Sequence, residues 1–348
     1  MNTLLSIASE QTTILQELAR YGNKEISVTK NERALSFNNR TGKIKIRESR
    51  IKKGLVFTHF KIRFNQNTVY KVYTETRRSF MFAYSTGGQL SHRIESLGNK
   101  EKLLDEFQPE ILHVNPQDRL EFFFREKHSY DFFIICLYDI NLLRSRIPKE
   151  ISLNAIKAFC SFLNRKRTGI YLGSYNLMIA DYARRLKKIS ITDLSRHLLF
   201  EGLVNIIISL QIQQFIEDEG RRRNAIGTLN QRECREIHKL SEFIQENPEK
   251  QYTVEYLCSM SGLPPCKLQE GFKKMHHRTV ADFIRNVRVE KAERLISNTD
   301  LNISEIVYSI GFASRSYFSK IFKKKYNCSP KCYQQNRIRA TAAIKSPN

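Results

Sequence analysis

The side chains most able to carry chemistry in this sequence are its eight histidines and seven cysteines, and their spacing argues against most of what such residues do. His59, His92, His113 and His128 fall in one region, but no HxH pair followed by a spaced glutamate stands among them, as a strand-borne metal site would need. Cys136, Cys160, Cys234, Cys258, Cys266, Cys328 and Cys332 form no CxxC pairs of the zinc-holding kind, and their odd number leaves no complete disulfide framework. No glycine-rich phosphate loop and no GxSxG elbow occurs. The expectation is a protein that is not an enzyme, without metal or cofactor.

The remaining chemistry is charge. Fifty-eight Lys and Arg stand against 35 Asp and Glu, net +23, and the excess divides almost evenly, +11 before Arg221 and +12 from there on. Such a balance calls for a polyanionic partner, nucleic acid first. In the front half Lys43, Lys45, Arg47, Lys61 and Arg63 alternate along strand-like runs, so they should share one face, which either meets an anionic small molecule or is only solvated.

The back half supplies elements suited to reading nucleic acid. Val254 and Leu257 lead to Ser261-Gly262-Leu263, followed by Leu268 and Phe272 at helical spacing. Then Ile303, Ile306, Val307 and Ile310 lead to Gly311-Phe312, followed by Phe318, Ile321 and Phe322. Each is helix, turn at a glycine, helix, with apolar inner faces that fix the angle. The glycines lie 49 residues apart. Between the units, residues 279–297 read as one helix of about 28 Å. Recognition helices on successive turns of one duplex face must stand roughly 34 Å apart, so this helix sets that spacing within one chain.

The segment from Val254 to Arg337 resembles the AraC/XylS family DNA-binding domain, above all through NISEIVYSIGFASRSYFSKIFKKKYNCSPKCY from Asn302 to Tyr333. The resemblance implies a transcription activator that binds double-stranded DNA with two recognition helices and engages RNA polymerase. Mapped onto it, the first helix turns Cys266, Gln269 and Glu270 to the bases. The second turns Arg315, Ser316, Ser319 and Lys320. Gln suits adenine, Glu suits cytosine N4, and Arg or Lys suits guanine N7 and O6. Lys273, Lys274, Lys323, Lys324 and Lys325 suit phosphates, which position without reading sequence.

Three positions depart from the family pattern. Pro264 stands where a Ser or Thr cap is usual, His277 replaces a glycine, and Gln334 replaces an arginine. A narrower resemblance, to the pyochelin-regulator branch, rests on KLQEGFKKMHHRTV (Lys267 to Val280) and HLLFEGLVNIIISLQ (His197 to Gln211). It implies a cupin-like effector-sensing barrel, a helical connector and an iron-siderophore complex as effector.

The residues in front agree with such a layout. KIKIR, LVFTHFKIRF, TVYKVYTE, LEFFF and YDFFIICLYDI alternate apolar, β-branched and aromatic residues as strands do. Many short strands in one block suggest a barrel or a sandwich. After Pro148 the texture turns helical, and Leu203, Ile206, Ile207 and Leu210 sit on one helix face. Leu203, Ile207 and Leu210 are the candidate homodimer interface, with a core helix as the equal rival.

The expected architecture is α+β and multidomain: a β-rich cupin-like sensing domain at 1–145, a helical connector and dimerisation region at 146–226, and an all-α tandem helix-turn-helix domain at 227–348. The start lacks a signal peptide, and the apolar stretch from Leu198 to Phe215 holds too many polar groups to cross lipid, which implies a cytoplasmic protein. The alternative function is architectural DNA binding by charge alone, without effector control.

Overall fold

The computed structural model describes residues 2–8, 14–29, 32–74, 79–98, 100–116, 118–138, 159–162, 168–221 and 229–335. The boundaries expected at 145/146 and 226/227 lie outside the described residues, as does the tail beyond 335. The chain forms two compact units, Met1–Gln231 and Arg232–Asn348.

The first unit carries thirteen described strands: β1 (Asn2–Ala8), β2 (Ser27–Val28), β3 (Glu32–Asn39), β4 (Gly42–Lys52), β5 (Leu55–Phe64), β6 (Thr68–Thr74), β7 (Ser79–Gly87), β8 (Leu90–Ile94), β9 (Lys102–Leu104), β10 (Pro109–Val114), β11 (Arg119–Phe124), β12 (Ser129–Leu137) and β13 (Gly169–Leu172). They make a five-stranded sheet, β1-β6-β11-β8-β9, and an eight-stranded sheet, β13-β10-β7-β12-β5-β4-β3-β2. This corrects the expected cupin-like barrel. Closure would need paired edges all round, whereas β2 and β9 present edges of two and three residues. The alternation seen in the sequence is real but serves two open sheets. Ile44, Ile46, Phe60 and Ile62 of the larger sheet share one core with Tyr70, Leu120 and Phe122 of the smaller, and helix α1 (Ile14–Gly22) adds Leu15 and Leu18.

Two helices, α2 (Leu177–Lys187) and α3 (Leu194–Arg221), lie over part of the larger sheet's other face. Phe200 meets Phe57 edge-on at 5.5 Å, and the Tyr84 hydroxyl donates to the Asn176 carbonyl at 2.7 Å. Arg47 was expected among the cations of an anion-binding face. It instead donates to the carbonyls of Leu186 (3.0 Å) and Ile189 (2.6 Å), at the end of α2 and just beyond it. Lys187 and His59 both hold Asp131. Burial pushes that carboxyl's pKa up, but the hydrogen bond from His59 and the Lys187 charge outweigh it, and the net shift is well below the usual carboxylate range.

Helix α3 also revises the expected dimer stripe. Leu203 (8% exposed) and Ile207 (0%) are buried within the chain and Leu210 is half-buried, because that face packs on the unit's own core. The exposed apolar residues of α3 are Leu194, Leu198, Leu199 and Ile206. By length and composition alone Leu194–Glu219 would suit a membrane span, yet 44% of its apolar window is buried.

The second unit is helical: α4 (Gln231–Glu246), α5 (Val254–Ser261), α6 (Pro265–His276), α7 (Val280–Asn298), α8 (Ile303–Ser309) and α9 (Arg315–Tyr326), with residues 330–335 also helical. Helix α7 is the expected linker; Phe283, Val287, Ala292 and Ile296 are buried, and Leu295 packs against the core of the second repeat.

Candidate nucleic-acid interface

The second unit repeats itself at an offset of 49 residues up to the turn glycines and 50 beyond them, since Leu268 and Phe272 correspond to Phe318 and Phe322. One extra residue in the second turn makes the difference. Both repeats begin with a side-chain cap. Thr253 accepts from the Tyr256 N–H at 3.1 Å, while Asn302 and Glu305 form a reciprocal capping box. Both turn glycines are left-handed, with φ of +65° at Gly262 and +82° at Gly311. Phe312, next in the second turn, is buried against Phe318.

The recognition helices differ at their entries. Ser314 accepts from the Tyr317 N–H at 3.2 Å, whereas Pro264 offers no side-chain acceptor to α6 and only Pro265 suits its first turn. Their exits match. His277 (φ +53°) and Asn327 (φ +58°) are both left-handed, the region in which a glycine is least strained. Next, Thr279 caps α7 through the Asp282 N–H, and Ser329 caps the final helix through the Cys332 N–H.

The two helices are held apart by more than α7. Arg288 on α7 donates to the carbonyls of Pro248 (2.8 Å) and Lys250 (2.7 Å), and its guanidinium lies 5.8 Å from the Phe312 ring centre. Burial lowers its pKa, against the opposing pull of Tyr252 and Glu249. A Cβ on Gly311 would fall 2.5 Å from the Glu249 carbonyl oxygen. The segment 248–250 therefore straps the first repeat to the linking helix and to the second turn.

On α9, Arg315, Ser316 and Lys320 are exposed and Ser319 is half-buried, with Lys323 and Lys324 exposed one turn later. On α6, Cys266 and Lys273 are exposed. The remaining α6 candidates are engaged within the chain. The Gln269 amide oxygen accepts from the Val280 N–H at 3.2 Å. Glu270 pairs with Lys274 at 2.6 Å and approaches Lys267 at 4.0 Å. Lys325, expected at a phosphate, instead braces α9 on α7 through Asn286 (2.6 Å) and Glu290 (2.8 Å). Gln334 donates to the Leu301 carbonyl at 2.9 Å.

Sequence reasoning missed a groove of about 370 Å3 between the repeats, lined by Thr253, Val254, Ala281, Arg285, Ser314 and Tyr317. Three helices begin on it, and the positive ends of helix dipoles favour anions. That these helix starts converge is decided by tertiary packing, which local spacing does not state.

The geometry agrees with the comparisons. Residues 257–336 match the helix-turn-helix domain family. The transcriptional activator Btr of Bacillus subtilis is 34% identical over 31% of this chain and 20% of its own length. The transcriptional activator RhaS of Mannheimia succiniciproducens is 27% identical over 64% of this chain and 75% of its own. The C-terminal domain of the response regulator yesN from Fusobacterium nucleatum, a solved structure, is 33% identical over 28% of this chain and 95% of that one, with a TM-score of 0.26. Against Btr and several other curated relatives, the chain spans less than half of the relative's length.

Proposed function

From a C-terminal unit that is a helix-turn-helix domain of the AraC/XylS type, we propose that the whole chain is a sequence-specific transcription regulator, an activator, that couples a small-molecule signal to operator binding. One observation carries this. Two helix-turn-helix repeats are strapped at a fixed separation, and the second presents Arg315, Ser316, Ser319 and Lys320 in one row. Arg and Lys donate to guanine, and the neighbouring Lys323 and Lys324 neutralise phosphates.

The finer parts of the reading follow from the same architecture. RNA polymerase is the partner that an activator must reach, and the cytoplasm is where such a protein meets DNA. The effector would enter the first unit, between whose sheets His92 and Glu110 lie 2.9 Å apart and fully buried. A ferric siderophore is the first ligand to titrate. A homodimer would use the exposed side of α3, Leu194, Leu198, Leu199 and Ile206, rather than the buried Leu203 and Ile207.

Selection of bound duplexes from a random pool tests the function. A two-part site with halves about 10 base pairs apart is expected, bound roughly 10³-fold or more above random DNA at physiological salt. Retention without enrichment would establish the charge-driven architectural binder instead.

A further inference from the structure

We propose that the uncovered half of the larger sheet's outer face is a second DNA-contacting surface, one that grips phosphates beside the stretch held by the tandem repeats. It rests on the regulator reading, which supplies the DNA, and adds a site on the unit expected only to sense.

In the β4–β5 ladder Lys43 stands directly opposite Arg63, and Lys45 directly opposite Lys61. All four are exposed, while the alternate residues Ile44, Ile46, Phe60 and Ile62 fill the core on the other side. Like charges directly opposite each other on a sheet are destabilising. Nothing here relieves them: among the described residues none of the four has an ion-pair partner. Asp131, which faces Lys61 in the register with β12, is already held by His59 and Lys187. Arg47, next in the row, is taken up by the end of α2. Two facing cation pairs are thus kept in the open, at a cost to the unit's own stability.

The shape of the face selects the ligand. Small molecules bind in concavities that bury most of their surface, and this is the exposed face of a β ladder, which sets aside the anionic small molecule expected there. A two-residue step along a strand is about 6.6 Å. Over that length one strand of a duplex carries about two phosphate charges, one per roughly 3.4 Å of axis, so each facing cation pair can meet one. An anionic membrane offers charge as well, but DNA is already held by the covalently linked second unit. A tethered second contact therefore acts at high effective concentration.

The test uses the full chain, fluorescence anisotropy, and random-sequence duplexes of about 20 and 60 base pairs, the shorter of which the tandem repeats fill. The fourfold variant Lys43→Gln, Lys45→Gln, Lys61→Gln, Arg63→Gln should lose about tenfold or more in affinity on the long duplex. Its salt dependence there should be shallower by about two, at roughly 0.9 per phosphate contact. On the short duplex it should match the parent. Lys45→Glu turns one like pair into an opposite one, with only Ser36 opposite on its other side, so it should melt no lower than the parent and still weaken long-duplex binding.

Parent-like binding by both variants on the long duplex, or equal losses on both duplexes, would overturn the proposal. So would loss of binding to phosphatidylserine vesicles with DNA binding intact. If Arg315→Ala weakens both duplexes while the sheet variants weaken neither, the regulator reading stands and this inference falls. No binding by the parent on either duplex removes both.

Discussion

The two helix-turn-helix repeats share one geometry and differ in what their side chains are free to do. After each recognition helix the chain turns through a left-handed residue and enters a capped helix. In the first repeat that next helix begins at Val280, whose N–H takes the amide oxygen of Gln269. In the second it begins at Pro330, which has no N–H to satisfy, and Ser319, one helix position equivalent to Gln269, is under no such demand. Glu270 is held by lysines on its own helix, whereas its counterpart Lys320 is exposed. Repeating a fold therefore need not repeat its chemistry: the first helix is largely spent on holding its own repeat together, and the second is available to read.

The comparison breaks most readily at the turns. Gly311→Ala forces an alanine into the left-handed region and drives its Cβ into the Glu249 carbonyl, so the second unit should lose on the order of 2–4 kcal/mol by denaturant melting. Gly262→Ala has only Arg232 within 4 Å, at 3.8 Å, and should lose about 1–2 kcal/mol. Equal losses would mean that the strap at 248–250 does not distinguish the repeats.

Next in size are the proposed base contacts. Arg315→Ala and Lys320→Ala should each weaken binding to the selected duplex by about 1–3 kcal/mol and relax one base position. Gln269→Ala should lower the melting temperature without changing which bases are preferred. A larger shift in base preference from Gln269→Ala than from Arg315→Ala would reverse the assignment.

The helix entries offer a smaller, reciprocal test. Ser314→Ala should destabilise by about 1 kcal/mol because the Tyr317 N–H loses its acceptor, while Pro264→Ser, which supplies the missing cap, should stabilise by up to about the same amount. The smallest effect is expected of Glu270→Ala, within about 0.5 kcal/mol in stability, as exposed ion pairs contribute little. Its binding to random DNA should be unchanged or slightly tighter. A marked loss of affinity would show that Glu270 reads cytosine.

The tandem helices, their glycine turns and the linking helix were legible in the sequence through local rules: apolar residues three and four apart and a glycine free to turn left-handed. The row on α9 came from the family resemblance instead. The strands of the first unit were legible for the same reason, through alternation of period two.

Only tertiary structure decided which edges pair, and hence that the sheets stay open, because alternation states a strand's faces and not its neighbours. The tertiary structure also decided what each polar or apolar side chain was used for. Arg47 serves carbonyls some 140 positions away, Lys325 reaches back 35 residues to Glu290, and Leu203 and Ile207 found their cover within the chain. Spacing shows which side chains share a face. Whether that face remains free depends on what the rest of the chain brings to it, and partners remote in sequence leave no mark in the local pattern.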